Sequence, residues 1–140
     1  LGGRVRTSFE CTVGGMGIRA LEELSVDKVF MTTNALSLQK GATTPNLDNA
    51  EIKREMMKIG NQRYLLCDSS KIGTKTVCSF AKIEEFDVII TDDKISKELK
   101  DSIEKLHIEV IGIRSIPKII GLYPSLAPTC GTGFAHWGDF

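Results

Sequence analysis

A chain of 140 residues, 41% hydrophobic and 26% charged, has room for one domain with one sizeable core. Its 18 basic residues are balanced by 18 acidic ones, whereas a domain that grips nucleic acid unaided carries a basic face, so direct DNA binding is disfavoured. No stretch approaches the roughly 20 apolar residues that span a bilayer, and no basic-then-apolar signal segment opens the chain. The expected setting is cytoplasmic, with no membrane partner.

The sequence begins at Leu1 rather than Met and runs at once into Gly2 and Gly3, which reads as a fragment. A short polar strand is expected over residues 6–12. Gly14, Gly15, Met16 and Gly17 then precede a helix in which Ile18, Leu21 and Leu24 recur at helical spacing. GGMG lacks the GxGxxG spacing of a nucleotide-binding turn, so a glycine turn that lets the helix pack closely is preferred over a phosphate loop. Residues 26–31 form an apolar strand closed by Thr32, Thr33 and Asn34, and residues 35–46 follow as a loop with Gly41 and Pro45. Asp48 and Glu51 have capping-box spacing, predicting a helix from Asp48 through Ile52, Glu55, Met56 and Ile59 that stops at Gly60 and Asn61.

Further strands are expected over residues 63–67, 86–91 and 108–111. The second of these is continuously apolar, as suits a parallel strand buried on both faces. Between the last two, Asp92 or Asp93 is expected to cap a helix with a stripe at Ile95, Leu99, Ile103 and Leu106, and His107 in its last turn. Strand and helix alternate, so the fold class is α/β, a mostly parallel sheet with flanking helices. From Gly112 the character changes: Pro117, Pro124, Pro128 and Trp137 appear and charges dwindle. Residues 1–111 are therefore read as the domain and 112–140 as a proline-containing, poorly ordered extension.

Cys11, Cys67, Cys78 and Cys130 are scattered, with neither a CxxC pair nor a neighbouring His, so no zinc site or disulfide framework is expected. His107 and His136 lack the partners of a catalytic base. In parallel α/β sheets ligands sit beyond the carboxyl ends of the strands. That points to three strand ends, Thr32, Thr33 and Asn34, the turn Asp68, Ser69, Ser70 and Lys71, and Thr91, Asp92 and Asp93, together with the loop around Gly41, Thr43 and Thr44. Lys53 and Lys71 could pair with a phosphate, the hydroxyls of Ser69, Ser70, Thr43 and Thr44 could donate to it, and the start of the helix after Asp48 would favour an anion. Asp68, Ser69 and Ser70 also make an ordinary strand-to-turn sequence whose side chains satisfy local backbone. Glu51 reads as a capping residue before it reads as a base.

Several motifs recur here in a familiar order: Gly2 and Gly3, DKVF at 27–30, GATTPN at 41–46, EIKREM at 51–56, DSSKIG at 68–73 and DVIITD at 87–92. Together they closely resemble the C-terminal sensor domain of DeoR-family transcriptional repressors, over residues 1 to about 111. Within the family, residues 27–53 look most like the repressors of the lactose phosphotransferase system. The resemblance implies the fold of ribose-5-phosphate isomerase, glucosamine-6-phosphate isomerase and CoA transferases, truncated at its N-terminus. It implies a phosphorylated sugar as effector, a tagatose phosphate in lactose systems, and no cofactor. It also implies homo-oligomers, and operator DNA bound through a helix-turn-helix domain absent from this chain. Gly2, Gly3, Asn34, Gly41, Thr43, Thr44, Glu51, Lys53, Asp68, Ser69, Ser70 and Lys71 would face the ligand. The first half of the sensor domain, with other phosphate-holding loops, is missing from the pattern, which should leave an exposed sheet edge and apolar surface. The rivals are an isomerase of the same fold, with Glu51 and Lys53 as acid–base groups, and an inactive truncated product. The expected answer is not an enzyme, because positions two apart on a helix do not face each other.

Overall fold

The computed structural model describes residues 2–7 and 11–113. The expectations for Leu1, for the middle of the 6–12 strand and for the tail from Arg114, with its prolines, Cys130, His136 and Trp137, lie outside them. The elements run β1 (Arg4–Arg6), β2 (Cys11–Val13), α1 (Gly15–Glu22), β3 (Val26–Thr32), β4 (Ala35–Ser37), β5 (Gly41–Thr44), α2 (Leu47–Lys58), β6 (Gly60–Leu66), β7 (Cys78–Ala81), β8 (Val88–Asp92), α3 (Lys97–Glu104) and β9 (Glu109–Ile113). Two 3-10 turns, Ser69–Lys71 and Ile83–Glu85, complete them.

The four strands expected from their apolar runs form one parallel sheet in the order β3-β6-β8-β9. Each new strand is added on the same side, α2 lying in the β3-to-β6 connection and α3 in the β8-to-β9 connection. One face of this sheet, carrying Val29, Met31, Leu65, Ile89 and Val110, joins the main core with Ala50 and Met57 of α2 and Ile103 of α3. On the opposite face Phe30 stacks on Tyr64 at 4.8 Å, with Lys28 over the Tyr64 ring. Phe30, Leu66 and Ile111 remain exposed there, although a parallel sheet is ordinarily covered on both faces.

A second, antiparallel sheet in the order β4-β5-β7 was not expected. The stretch read as a loop, 35–46, is a hairpin in which Ala35 pairs with Thr43 and Ser37 with Gly41. β5 is buried at all four positions, yet Gly, Ala and Thr carry little apolar signal, so period-2 reasoning passes over it. β7 continues the sheet on the other side of β5. The polar strand near residue 6 is likewise two short antiparallel strands, β1 and β2. The glycine turn behaves as expected: a Cβ on Gly17 would lie 3.1 Å from Ile52 Cδ1 and 3.2 Å from the Gly2 carbonyl oxygen, so α1 packs closely through it.

Three caps differ from expectation. Asn46, not Asp48, caps α2: its side-chain oxygen accepts from the Asn49 N–H at 3.1 Å. Asn46 to Asn49 has the same spacing as Asp48 to Glu51, so spacing could not choose between them. Asp48 instead pairs with Arg4 at 2.5 Å, and Glu51 is exposed. Asn46→Ala should therefore lower stability by about 1 kcal/mol, and Asp48→Ala by less than half of that, in paired urea titrations. The helix ends at Ile59, and Gly60 already belongs to β6, where a Cβ would come within 2.4 Å of Val29 Cγ2. α3 is capped by Ser96 rather than by Asp92 or Asp93. The Asp92 side chain is engaged elsewhere, accepting from Lys94 N–H at 2.9 Å and Ser69 N–H at 2.8 Å. His107 lies beyond the last turn of α3, with φ 64°, and turns the chain toward β9.

Candidate functional site

The carboxyl ends of β3, β6 and β8 lie side by side, because Thr32 pairs with Leu66 and Leu66 with Ile90. Lys53 reaches this edge from the second turn of α2 and donates from Nζ to the Thr32 carbonyl at 2.6 Å. Its ammonium also sits 4.9 Å from the centre of the Phe80 ring, contributed by β7. No carboxylate lies within 4.0 Å of it among the described residues. Burial, and then the neighbouring Lys71 ammonium, lower its pKa to about 8. A desolvated cation beside a second cation is electrostatically costly unless an anion joins them.

The Asp68–Lys71 turn forms the next wall. Lys71 Nζ lies 3.1 Å from Asp68 Oδ2, and the Ser70 hydroxyl donates to Asp68 Oδ1. Burial alone would raise the Asp68 pKa, but the hydrogen bonds from Ser70 and Lys71 outweigh it and hold the carboxyl below its ordinary value. The Ser69 N–H donates to Asp92, tying the β6 end to the β8 end and holding the Asp92 carboxyl low as well. Gly73 N–H donates to the Leu36 carbonyl at 2.8 Å, fastening the turn to β4. Cys67 is buried, and burial with the Asp68 charge pushes its thiol up to about 12, so it is an inert core group.

Other expected ligand-facing residues take structural places. The Thr43 hydroxyl donates to the Ala35 carbonyl and accepts from the Thr76 N–H at 2.9 Å, so the protein itself occupies it. Thr44 is as deeply buried as Thr43. Gly41 has φ 67° and would place a Cβ 2.1 Å from the Ala81 oxygen, so its glycine serves strand packing. A Cβ on Gly3 would meet the Val13 carbonyl at 2.8 Å and one on Gly2 would meet Met16, which places both beside β2 and α1. Asn34 donates its N–H to the Thr43 carbonyl at the mouth of the hairpin. Glu51, two positions from Lys53 on α2, does not share its direction.

Sequence reasoning missed Phe80, which lies in the unexpected strand β7, while Thr33, at an expected strand end, is buried with its hydroxyl within donating distance of the Ala35 carbonyl at 2.8 Å and the Thr43 carbonyl at 3.0 Å. Thr91, at one of the three expected strand ends, is fully buried with an unpartnered hydroxyl near the end of β8. Among the described residues no group of three His, Cys, Asp or Glu could hold a metal, and no helix is long and apolar enough to cross a membrane.

The family model of the DeoR C-terminal sensor domain matches residues 1–93, a span that contains Lys53 and the Asp68–Lys71 turn. The chain belongs to the DeoR sensor-domain family. Its similarity to curated DeoR-type proteins extends past the matched region. It is 34% identical over 110 residues to the HTH-type transcriptional regulator GlpR of Haloferax volcanii, covering 79% of this chain and 43% of that protein. It is 35% identical over 92 residues to the uncharacterized HTH-type transcriptional regulator FruR of Bacillus subtilis, covering 66% and 37%. With the lactose phosphotransferase system repressor of Staphylococcus epidermidis it shares 33% over 111 residues, covering 79% and 43%. The chain spans less than half the length of these DeoR-type relatives. Those relatives are named as transcriptional regulators and not as enzymes.

Proposed function

We propose that this chain is the effector-binding part of a DeoR-type transcriptional repressor of carbohydrate metabolism, and that its effector is a phosphorylated sugar. The ligand lies across the carboxyl edge of β3, β6 and β8, its phosphate between Lys53 and Lys71, with Ser69, Ser70 and Asp68 beside it. The observation that carries this reading is the Lys53 ammonium, held by a carbonyl and an aromatic ring rather than by a carboxylate, with Lys71 close enough to depress its pKa. A dianionic phosphate relieves that repulsion and adds charge-assisted hydrogen bonds. Operator DNA is contacted by a helix-turn-helix segment of the kind the relatives' names carry, in a cytoplasmic homo-oligomer. Likeness to the lactose system repressors favours a tagatose phosphate.

An aldose–ketose isomerase needs a base and an acid facing one substrate. Glu51 is exposed and turned away from Lys53, and Asp68 is locked to Ser70 and Lys71, so no observation favours that reading.

Calorimetric titration of the full chain with a panel of hexose phosphates tests the proposal. One phosphate ester should bind, its unphosphorylated sugar should not, and Lys71→Ala should weaken binding by about tenfold or more while the urea midpoint barely moves. Binding by none of the esters refutes the sensor assignment. Undiminished affinity in Lys71→Ala makes Lys71 a turn residue only.

A further inference from the structure

A cavity of about 380 Å3 lies between the C-terminal half of α2, β7 and the turn Ile83–Glu85, with Arg63 contributed by β6. Its walls carry four cations, Arg54, Lys58, Arg63 and Lys82, against the single carboxylate of Glu85. Lys58 is neutralised by Glu55 at 2.6 Å, and Glu85 Oε1 is taken by the Lys82 backbone N–H at 2.7 Å. The two arginines differ. Arg54 donates from Nη2 to the Ser79 carbonyl at 2.5 Å, and Arg63 donates from Nε to the Met57 carbonyl at 2.9 Å. Neither guanidinium has a carboxylate within 4.0 Å among the described residues.

Each arginine is thus aimed by one bond to a carbonyl and keeps most of its five donors unused. A guanidinium that served only to tie α2 to its neighbours would account for those two bonds, yet it would not account for both arginines lining one cavity. The floor of that cavity is apolar, formed by the buried residues Met57, Phe80 and Ala81. Small-ligand sites combine such an apolar floor with a few convergent polar groups in a space of this size. Oriented guanidinium forks select planar or tetrahedral oxyanions.

From this geometry we propose a second ligand site, separate from the strand-end pocket, that takes a small organic oxyanion. Its phosphate or carboxylate lies between Arg54 and Arg63, and its apolar body rests on Met57 and Phe80.

Side-chain NMR of the full chain reads both guanidiniums directly through their Nε–H signals. Phenyl phosphate and benzoate serve as probes, inorganic phosphate as the probe without an apolar body, and chloride as the screening control. The expected result is a saturable shift of the Arg54 and Arg63 signals with one of the two aromatic probes, binding more tightly than inorganic phosphate. Whichever probe saturates identifies the source as ester or carboxylate. The shift should persist in Lys53→Met, which separates this site from the strand-end pocket, and its midpoint should rise about tenfold in Arg54→Gln. Because Arg54 is exposed, that variant leaves the core intact. Unmoved arginine signals overturn the proposal, as do shifts that grow linearly without saturation and are reproduced by chloride. Loss of the shift in Lys53→Met also overturns it, because a single site would then explain everything.

Discussion

Lys53→Met should abolish binding of the sugar phosphate and, in the same protein, raise the stability of the ligand-free state at neutral pH. Both effects come from one ammonium. Its pKa is lowered from 10.5 to about 8, burial first and the Lys71 charge second. At about 1.4 kcal/mol for each tenfold change in acidity, the charged form carries a folding penalty of at most about 3 kcal/mol. Methionine fills a similar volume without charge, and forfeits the bond to the Thr32 carbonyl, worth about 1 kcal/mol. The net gain in urea stability at pH 7 should be about 1–2 kcal/mol.

The sign with pH follows from proton counting. Between pH 8 and 10.5 the unfolded chain holds this proton more firmly than the folded one, so the wild-type contribution to stability rises with pH across that window. Below pH 8 the penalty is present in full. Wild type and Lys53→Met should therefore converge between pH 8 and 10.5, apart from the lost Thr32 bond. Ligand affinity moves the other way, because a bound phosphate wants the ammonium charged: it should fall as pH rises through about 8. A variant less stable than wild type at pH 7 that still binds the ester would refute this account of Lys53.

The second large effect belongs to Gly41→Ala, which should cost about 4 kcal/mol, measured as a drop in the urea midpoint. The position has φ 67°, which L residues adopt at a penalty of roughly 1–2 kcal/mol. The methyl would also stand 2.1 Å from the Ala81 oxygen and 2.7 Å from the Lys82 Cα, both backbone atoms. No side-chain rotation relieves that contact, so β5 and β7 must separate. The same change at Gly73, which also has positive φ but an open surround, should cost only the conformational penalty. Equal losses at the two positions would show that backbone strain alone matters.

The contrast between these two residues shows what could be read from the sequence. The parallel sheet was legible because VDKVFM, YLLC and DVIIT are apolar runs of strand length, and the predicted α3 stripe contains the fully buried Ile103. That Lys53 and Lys71 belong to the strand-end edge was legible because strand ends and helix starts meet at a known edge of such folds. GATT was not legible as a strand: its burial comes from close backbone approach, not from large apolar side chains, and Thr43 hides its hydroxyl in local bonds. Phe80 was missed for a related reason. Cys78–Ala81 carries only one large apolar side chain, Phe80 itself, and only the tertiary fold brings that ring under Lys53.

The pairing of β5 with β7 has a consequence for the order of assembly. The β4–β5 hairpin closes on neighbouring residues, but Thr43 meets Ser79 only after α2, β6 and the DSSK turn have been folded between them. Non-local strand pairing waits for its loop to close, so β7 docks late and brings Phe80 with it. The floor beneath Lys53 is thus laid after its walls. A nascent chain carries the lysine and its Thr32 acceptor well before it has the ring to seat them on.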